Sequence, residues 1–172
     1  TFGYDTRRNR ISLKNPLGEE VRYKYSDSLG RPIAAQDGEG RLFKETLDPQ
    51  GRTVAHILPD GKVARTFSYP DESTVVETDA MGNSQTTKRD DSGRVVRRTD
   101  RSNTWAVQYD DAAKSVTFHD PDGTSSRAAL DKLGRMTKLE VPGAGQLEYA
   151  YGPGALPDSV TRPDGAKKKK QK

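Results

Sequence analysis

This sequence predicts an all-β chain of short antiparallel strands, and three observations carry the prediction. A turn signal recurs about every ten residues. The segments between turns alternate apolar and polar side chains with a period of two, which places successive side chains on opposite faces of a strand. The composition, 31% hydrophobic and 31% charged over 172 residues, is too polar for a thick globular core. Its regularity argues equally against disorder. A thin sheet that buries one face modestly fits all three.

The turns form two interleaved series. In the first, an Asp precedes a Gly-Arg pair, giving Asp27 with Gly30 and Arg31, Asp48 with Gly51 and Arg52, and Asp131 with Gly134 and Arg135. Asp91 stands one residue late before Gly93 and Arg94, with Asp90 beside it. The second series places Gly or Asn at 18, 40, 61, 82, 103, 123, 145 and 165, in steps of 20 to 22 residues. A fixed period in this range marks a repeat architecture. Pro59-Asp60-Gly61, Pro121-Asp122-Gly123 and Pro163-Asp164-Gly165 are tight-turn tripeptides. Pro presets φ, Asp bonds back to its own backbone, and Gly accepts a positive φ at little cost. Turns alternating between two edges make consecutive strands antiparallel, so each repeat of about 21 residues supplies two strands.

The clearest strands are aromatic. Val21, Tyr23 and Tyr25 share a face; so do Val63, Phe67 and Tyr69, with Arg65 an exception on that face. Trp105, Val107 and Tyr109 follow, then Leu147, Tyr149 and Tyr151. Weaker strands are expected at 54–58, 74–78, 116–118 and 136–141, and the whole chain should hold about sixteen strands. A second period is superimposed: Tyr25, Tyr69, Tyr109 and Tyr151 are spaced by 44, 40 and 42 residues, roughly every fourth strand.

The net charge of +4 belongs to the end of the chain. Five of the 29 basic residues lie at 167–170 and 172, and the rest nearly balance the 25 acidic ones. A nucleic-acid-binding body should carry a basic stripe, and this body has none evident; only the Lys tail suits phosphate. Residues 1–165 are therefore read as one β-strip and 166–172 as a Lys-rich disordered tail. No Cys is present, so there is no disulfide framework or thiolate metal site. No apolar run reaches membrane-spanning length. The chain starts at Thr1 within a repeat, which reads as a fragment or processed segment of something longer.

These residues resemble the YD-repeat proteins: bacterial Rhs proteins, the shell components of Tc insecticidal toxins, and teneurins. Tyr4-Asp5 with Asn9-Arg10, Asn15-Pro16-Leu17-Gly18 and Tyr23-Lys24-Tyr25 trace one family unit. Asp48 to Arg52, Pro59-Asp60-Gly61 and Phe67-Ser68-Tyr69 trace another. Tyr109-Asp110 with Pro121-Asp122-Gly123 gives a third, and Gly134-Arg135 with Pro142-Gly143 and Tyr149-Ala150-Tyr151 a fourth. The resemblance implies a long β-strip wound into a hollow shell, around a toxic polypeptide in the bacterial members and for adhesion in teneurins. This chain then corresponds to wall material of a secreted polymorphic toxin. The expected partners are the remainder of the shell and an enclosed toxin polypeptide, and the expected location is outside the producing cell or at its surface.

No catalytic constellation, cofactor site or metal site is expected. His56 and His119 fall in different strands, and the paired carboxylates all occupy repeated turn positions. Repetition argues for a structural role, since a catalytic pair is needed once. Calcium would require 6–8 oxygen ligands, and each turn offers one or two carboxylates. The aromatic rows suit inter-strand packing, with stacking on glycan as the alternative. The repeated Arg is expected to pair with Asp of a neighbouring turn and form a charge ladder along one edge.

Overall fold

The computed structural model describes residues 1–169; the tail residues 170–172 lie outside the described residues. The chain is all-β and antiparallel, with no helix among the described residues. It divides into two compact units, Thr1–Gln85 and Thr86–Lys172.

The first unit contains β1 (Phe2–Tyr4), β2 (Arg10–Lys14), β3 (Glu20–Tyr25), β4 (Pro32–Gln36), β5 (Leu42–Leu47), β6 (Thr53–Ile57), β7 (Val63–Ser68) and β8 (Thr74–Asp79). Each pairs antiparallel with the next in chain order. β9 (Ser84–Arg89) spans the boundary. The second unit contains β10 (Val95–Asp100), β11 (Asn103–Asp110), β12 (Ser115–His119), β13 (Ser125–Leu130), β14 (Met136–Val141), β15 (Gly145–Ala150), β16 (Ser159–Thr161) and β17 (Lys167–Lys169). These too pair consecutively. Seventeen strands are thus described where the turn spacing suggests about sixteen. β17 lies within the segment read from sequence as a disordered tail, and its residues pair with Ser159–Thr161.

Most turns share one hydrogen-bond pattern. In Asp48–Arg52 the Asp48 N–H donates to Arg52 O at 2.9 Å and the Gly51 N–H donates to Asp48 O at 2.9 Å. Gly51 has φ +79°. This is a type I turn followed by a residue in the left-handed region, the G1-bulge form of a three-residue hairpin loop. The pattern recurs from Asp37, Leu58, Asp79, Asp90, Asp120 and Asp131. It also recurs from Asp5, where Arg8 takes the left-handed place at φ +65°. Asn103, by contrast, is already the first residue of β11; the positive φ of that hairpin belongs to Arg101, at +50°.

Little is buried. Val116 (6% exposed) and Ala128 (0%) are the buried hydrophobic residues among those described, and no large side chain is fully enclosed. Both stand in a cross-strand row of the second unit, Tyr109–Val116–Ala128–Leu139–Leu147, taken in register from five consecutive strands. The opposite face there is polar, with His119 Nδ1 2.8 Å from Ser125 Oγ and Arg127 donating to Ser115 Oγ at 3.2 Å.

Candidate functional site

The turn residues and the aromatic residues singled out from sequence meet in one repeated device. In its fullest form, Asp48 Oδ1 accepts the Arg52 backbone N–H at 2.8 Å and Asp48 Oδ2 accepts Arg52 Nε at 2.7 Å. The Arg52 guanidinium then lies 4.2 Å from the centre of the Tyr69 ring. The Tyr69 hydroxyl donates to Thr53 O at 2.7 Å. Asp fixes Arg, Arg lies on Tyr, and Tyr closes onto the backbone just past the Arg. The topology explains why this is possible: β6 leaves the turn and β7 returns to the same edge, so Tyr69, one residue past β7, stands beside the first residue of β6.

The same clasp forms in the second unit. Asp90 accepts Arg94 N–H at 2.9 Å and Nε at 2.8 Å, Arg94 lies 4.2 Å from the Tyr109 ring centre, and Tyr109 donates to Val95 O at 3.3 Å. Asp131 accepts Arg135 at 3.0 and 2.7 Å, Arg135 lies 4.5 Å from the Tyr151 ring, and Tyr151 donates to Met136 O at 2.8 Å. Near the start of the chain Asn9 replaces Arg: its backbone and side-chain N–H groups donate to Asp5 at 2.8 and 2.9 Å, and Tyr25 donates to Arg10 O at 3.1 Å. Arg10 faces the Tyr23 ring instead, at 5.1 Å. The tyrosine period seen in the sequence is the period of these clasps.

The Arg side chains also reach the next turn on their own edge. Arg7 donates to Asp27 O at 2.9 Å, Arg31 donates to Gly51 O, and Arg135 donates to Gly152 O and Gly154 O at 3.1 and 2.9 Å. Arg94 alone of these pairs with a neighbouring carboxylate, Asp111, at 2.7 and 3.2 Å. The expected ladder of Arg to neighbouring Asp is therefore mostly a ladder of Arg to neighbouring carbonyls, with the ion pair kept inside the turn at Arg52, Arg94 and Arg135. At those three turns the carboxylate four residues before the Arg is already in place when the turn closes and takes Nε; the Gly30-Arg31 turn is one residue longer, closing between Ser26 and Arg31, and Asp27 does not fill that role. Asp90, three residues before its Gly, fills this role at Gly93-Arg94 in preference to Asp91.

This geometry lowers the pKa of the turn carboxylates. For Asp131 the N–H of Arg135 is the largest influence and holds the carboxyl below its ordinary range. For Asp48 and Asp90 partial burial opposes ionisation most strongly, yet the backbone and side-chain hydrogen bonds from Arg52 and Arg94 together outweigh it. The Arg94 guanidinium is raised by Asp111 and Asp90.

The other positions read from sequence are placed as follows. Gly30, Gly61, Gly93, Gly123 and Gly134 all have positive φ, as the turn type demands. Asp60 and Asp122 accept the N–H two residues on, at 3.0 and 2.9 Å. Phe67 meets His56 edge-on at 5.0 Å between ring centres. Arg65, the exception on its face, pairs with Glu77 at 2.5 Å. Tyr149 stands opposite Val160, and Trp105 lies opposite Arg98 with 36% of its surface exposed. Arg7 and the carbonyls that accept from Tyr have no mark of their own in the sequence; the one available signal is a Tyr about twenty residues after Asp5, Asp48, Asp90 and Asp131, which Asp27, Asp37, Asp79 and Asp120 lack.

No family model matches the chain, and no curated protein matches it. Among solved structures it resembles the Tc holotoxin pore of Photorhabdus luminescens and crystal structures of TcdB2-TccC3-TEV and TcdB2-TccC3-Cdc42. In each case the TM-score is 0.51 at 14% identity, over 96% of this chain and 11% of the other. The chain thus spans about a tenth of the length of the structures it matches, and what it shares with these toxin-complex chains is the fold.

Proposed function

We propose that this chain is a non-catalytic wall segment of an Rhs-type, YD-repeat shell that encloses a toxin polypeptide in a secreted bacterial toxin. The repeated clasp carries this reading. Four copies do the same mechanical work at one-in-four strand spacing, tying a turn to the strand two elements downstream. Such a device stiffens a strip of strands and offers no unique reactive group. The fold likeness to toxin-complex chains supports the same assignment, as do the YD-like units of the sequence. The partners on this reading are the rest of the shell and its cargo, and the place of action is outside the producing cell.

The test is protease protection of the parent assembly that contains this segment, with and without prior denaturation, followed by intact mass. A second polypeptide that survives only while the assembly is native is the expected result. Complete digestion of every associated polypeptide under native conditions would overturn the enclosure. An adhesive module for glycan or protein is the second reading, favoured by the exposed rings of Trp105 and Phe118.

A further inference from the structure

The pairing register gathers on one face of the first unit basic residues that the sequence keeps apart. Directly opposed residues share a face of a sheet, and so do residues two apart on one strand. Lys24 stands opposite Ala34, and Ala34 opposite Lys44. Arg22 stands opposite Ser12 and Gln36, and Lys14 opposite Glu20. The face of β2–β5 turned away from Tyr23 and Phe43 therefore carries Lys14, Arg22, Lys24 and Lys44 against the single carboxylate of Glu20. All four cations are exposed. Arg22 donates to Glu20 through Nη2 alone, at 3.0 Å, and Lys24 and Lys44 make no ion pair among the described residues.

The flanking turns do not cancel this charge. At one end Asp37 and Glu39 pair with Arg41 at 2.7 and 3.0 Å, and Glu19 accepts from Asn15 at 2.7 Å. The turns at the other end, 5–9, 26–31 and 48–52, hold four arginines and three aspartates. The polar face of the second unit is built differently: Arg127 stands opposite Glu140 and Lys138 opposite Glu148, so each of these cations faces a carboxylate. Arg22 and Lys24 lie two residues apart on β3, about 6.6–6.8 Å, the spacing of alternate side chains in any extended chain. Lys44, two strands over at about 9.6 Å, adds an ammonium across the methyl of Ala34. No aromatic residue stands among these paired positions, so the face lacks the rings on which proteins stack single-stranded nucleic acid. We propose that this face binds an extended acidic polypeptide segment, its alternate carboxylates against Arg22, Lys24 and Lys44. This goes beyond the wall reading and does not rest on it.

Fluorescence anisotropy of a fluorescein-labelled Gly-Ser-Glu-Thr-Glu-Ser-Gly peptide with the full chain tests it, beside the same peptide with Gln for Glu. The acidic peptide should bind saturably at low salt and be released as salt shortens the Debye length; the Gln peptide should not bind. Lys24→Gln combined with Lys44→Gln should weaken binding by about 10-fold, the range of two exposed ion pairs. Both lysines are exposed, so their replacement leaves the strands intact. Lys138→Gln, on the charge-matched face of the second unit, should change nothing. The Lys-rich end is the rival cationic site, so a further variant replaces the lysines at 167–170 and 172 by Gln and should keep the saturable binding. No saturable binding, equal binding of the Gln peptide, equal loss in Lys138→Gln, or loss only with the end lysines would each overturn the proposal. A single-stranded oligothymidylate that binds this face more tightly than the peptide would give it to nucleic acid and overturn it too. Peptide binding and protease protection are read separately, so either can fail without the other.

Discussion

Tyr69 shows how much one hydroxyl does in a chain with almost no core. Its ring lies under Arg52 and its hydroxyl closes on Thr53 O at 2.7 Å. A hydrogen bond of this kind contributes about 1 kcal/mol net, and the guanidinium over the ring adds about 0.5–1 kcal/mol. Tyr69→Phe keeps the ring and loses the bond, so urea unfolding should show a destabilisation of about 1 kcal/mol at unchanged slope. Tyr23→Phe is the comparison, because the Tyr23 hydroxyl makes no hydrogen bond among the described residues; its change should stay within about 0.5 kcal/mol. Equal shifts in the two variants would remove the hydroxyl from the clasp. The residue scale is also where the sequence is least legible. Gly51 advertises its positive φ, but Arg8 holds φ +65° with a side chain that names no turn. Arg8 stays there because Asp5 takes the N–H groups of Arg7 and Asn9 around it, at 2.9 and 2.8 Å.

At the scale of the turn and its two strands, the ionised carboxylate is what joins the parts. Asp48, Asp90 and Asp131 have folded pKa values held below the ordinary one. A carboxylate whose folded pKa is depressed contributes stability above its unfolded value, near pH 4, and that contribution is lost as pH falls through the folded value. Stability should therefore be flat from neutral pH to about 5 and fall steeply below about 4. Combined Asp48→Asn, Asp90→Asn and Asp131→Asn replacement should lower stability at neutral pH and flatten the acid limb; an unchanged acid limb would show that the clasps do not couple protons to folding. Elements were legible wherever local chemistry decides them. Asp-x-x-Gly sets the turn, and period-two aromatics set β3, β7, β11 and β15. The residues 84–89 of β9 read Ser-Gln-Thr-Thr-Lys-Arg, with no apolar alternation, so nothing local marks that strand. The partner of each clasp is nonlocal as well: the tyrosine spacing was visible in the chain, but its cause is a hydrogen bond between strands that only the pairing register brings together.

The whole molecule sets a large exposed surface against this network of small polar ties. It exposes 12391 Å², whereas a compact globular protein of 19.0 kDa exposes about 8,400 Å². Against an unfolded chain of about 27,500 Å², folding here removes only about four-fifths of the surface that a compact protein of this mass removes. Apolar hydration dominates the heat capacity of unfolding, at about 12–15 cal/mol/K per residue in globular proteins, or about 2.1–2.6 kcal/mol/K for a chain of this length. Calorimetry of the full chain should then give about 1.7–2.0 kcal/mol/K or less, because the surface it does bury is rich in backbone and turn polar groups whose exposure lowers the heat capacity. The baseline difference needs no assumption that the two units melt together, which makes it a safer measure here than a fitted denaturant slope. A full globular value would mean that the chain buries apolar surface beyond its own folded strands, as association between copies would do, and dilution would then lower the value.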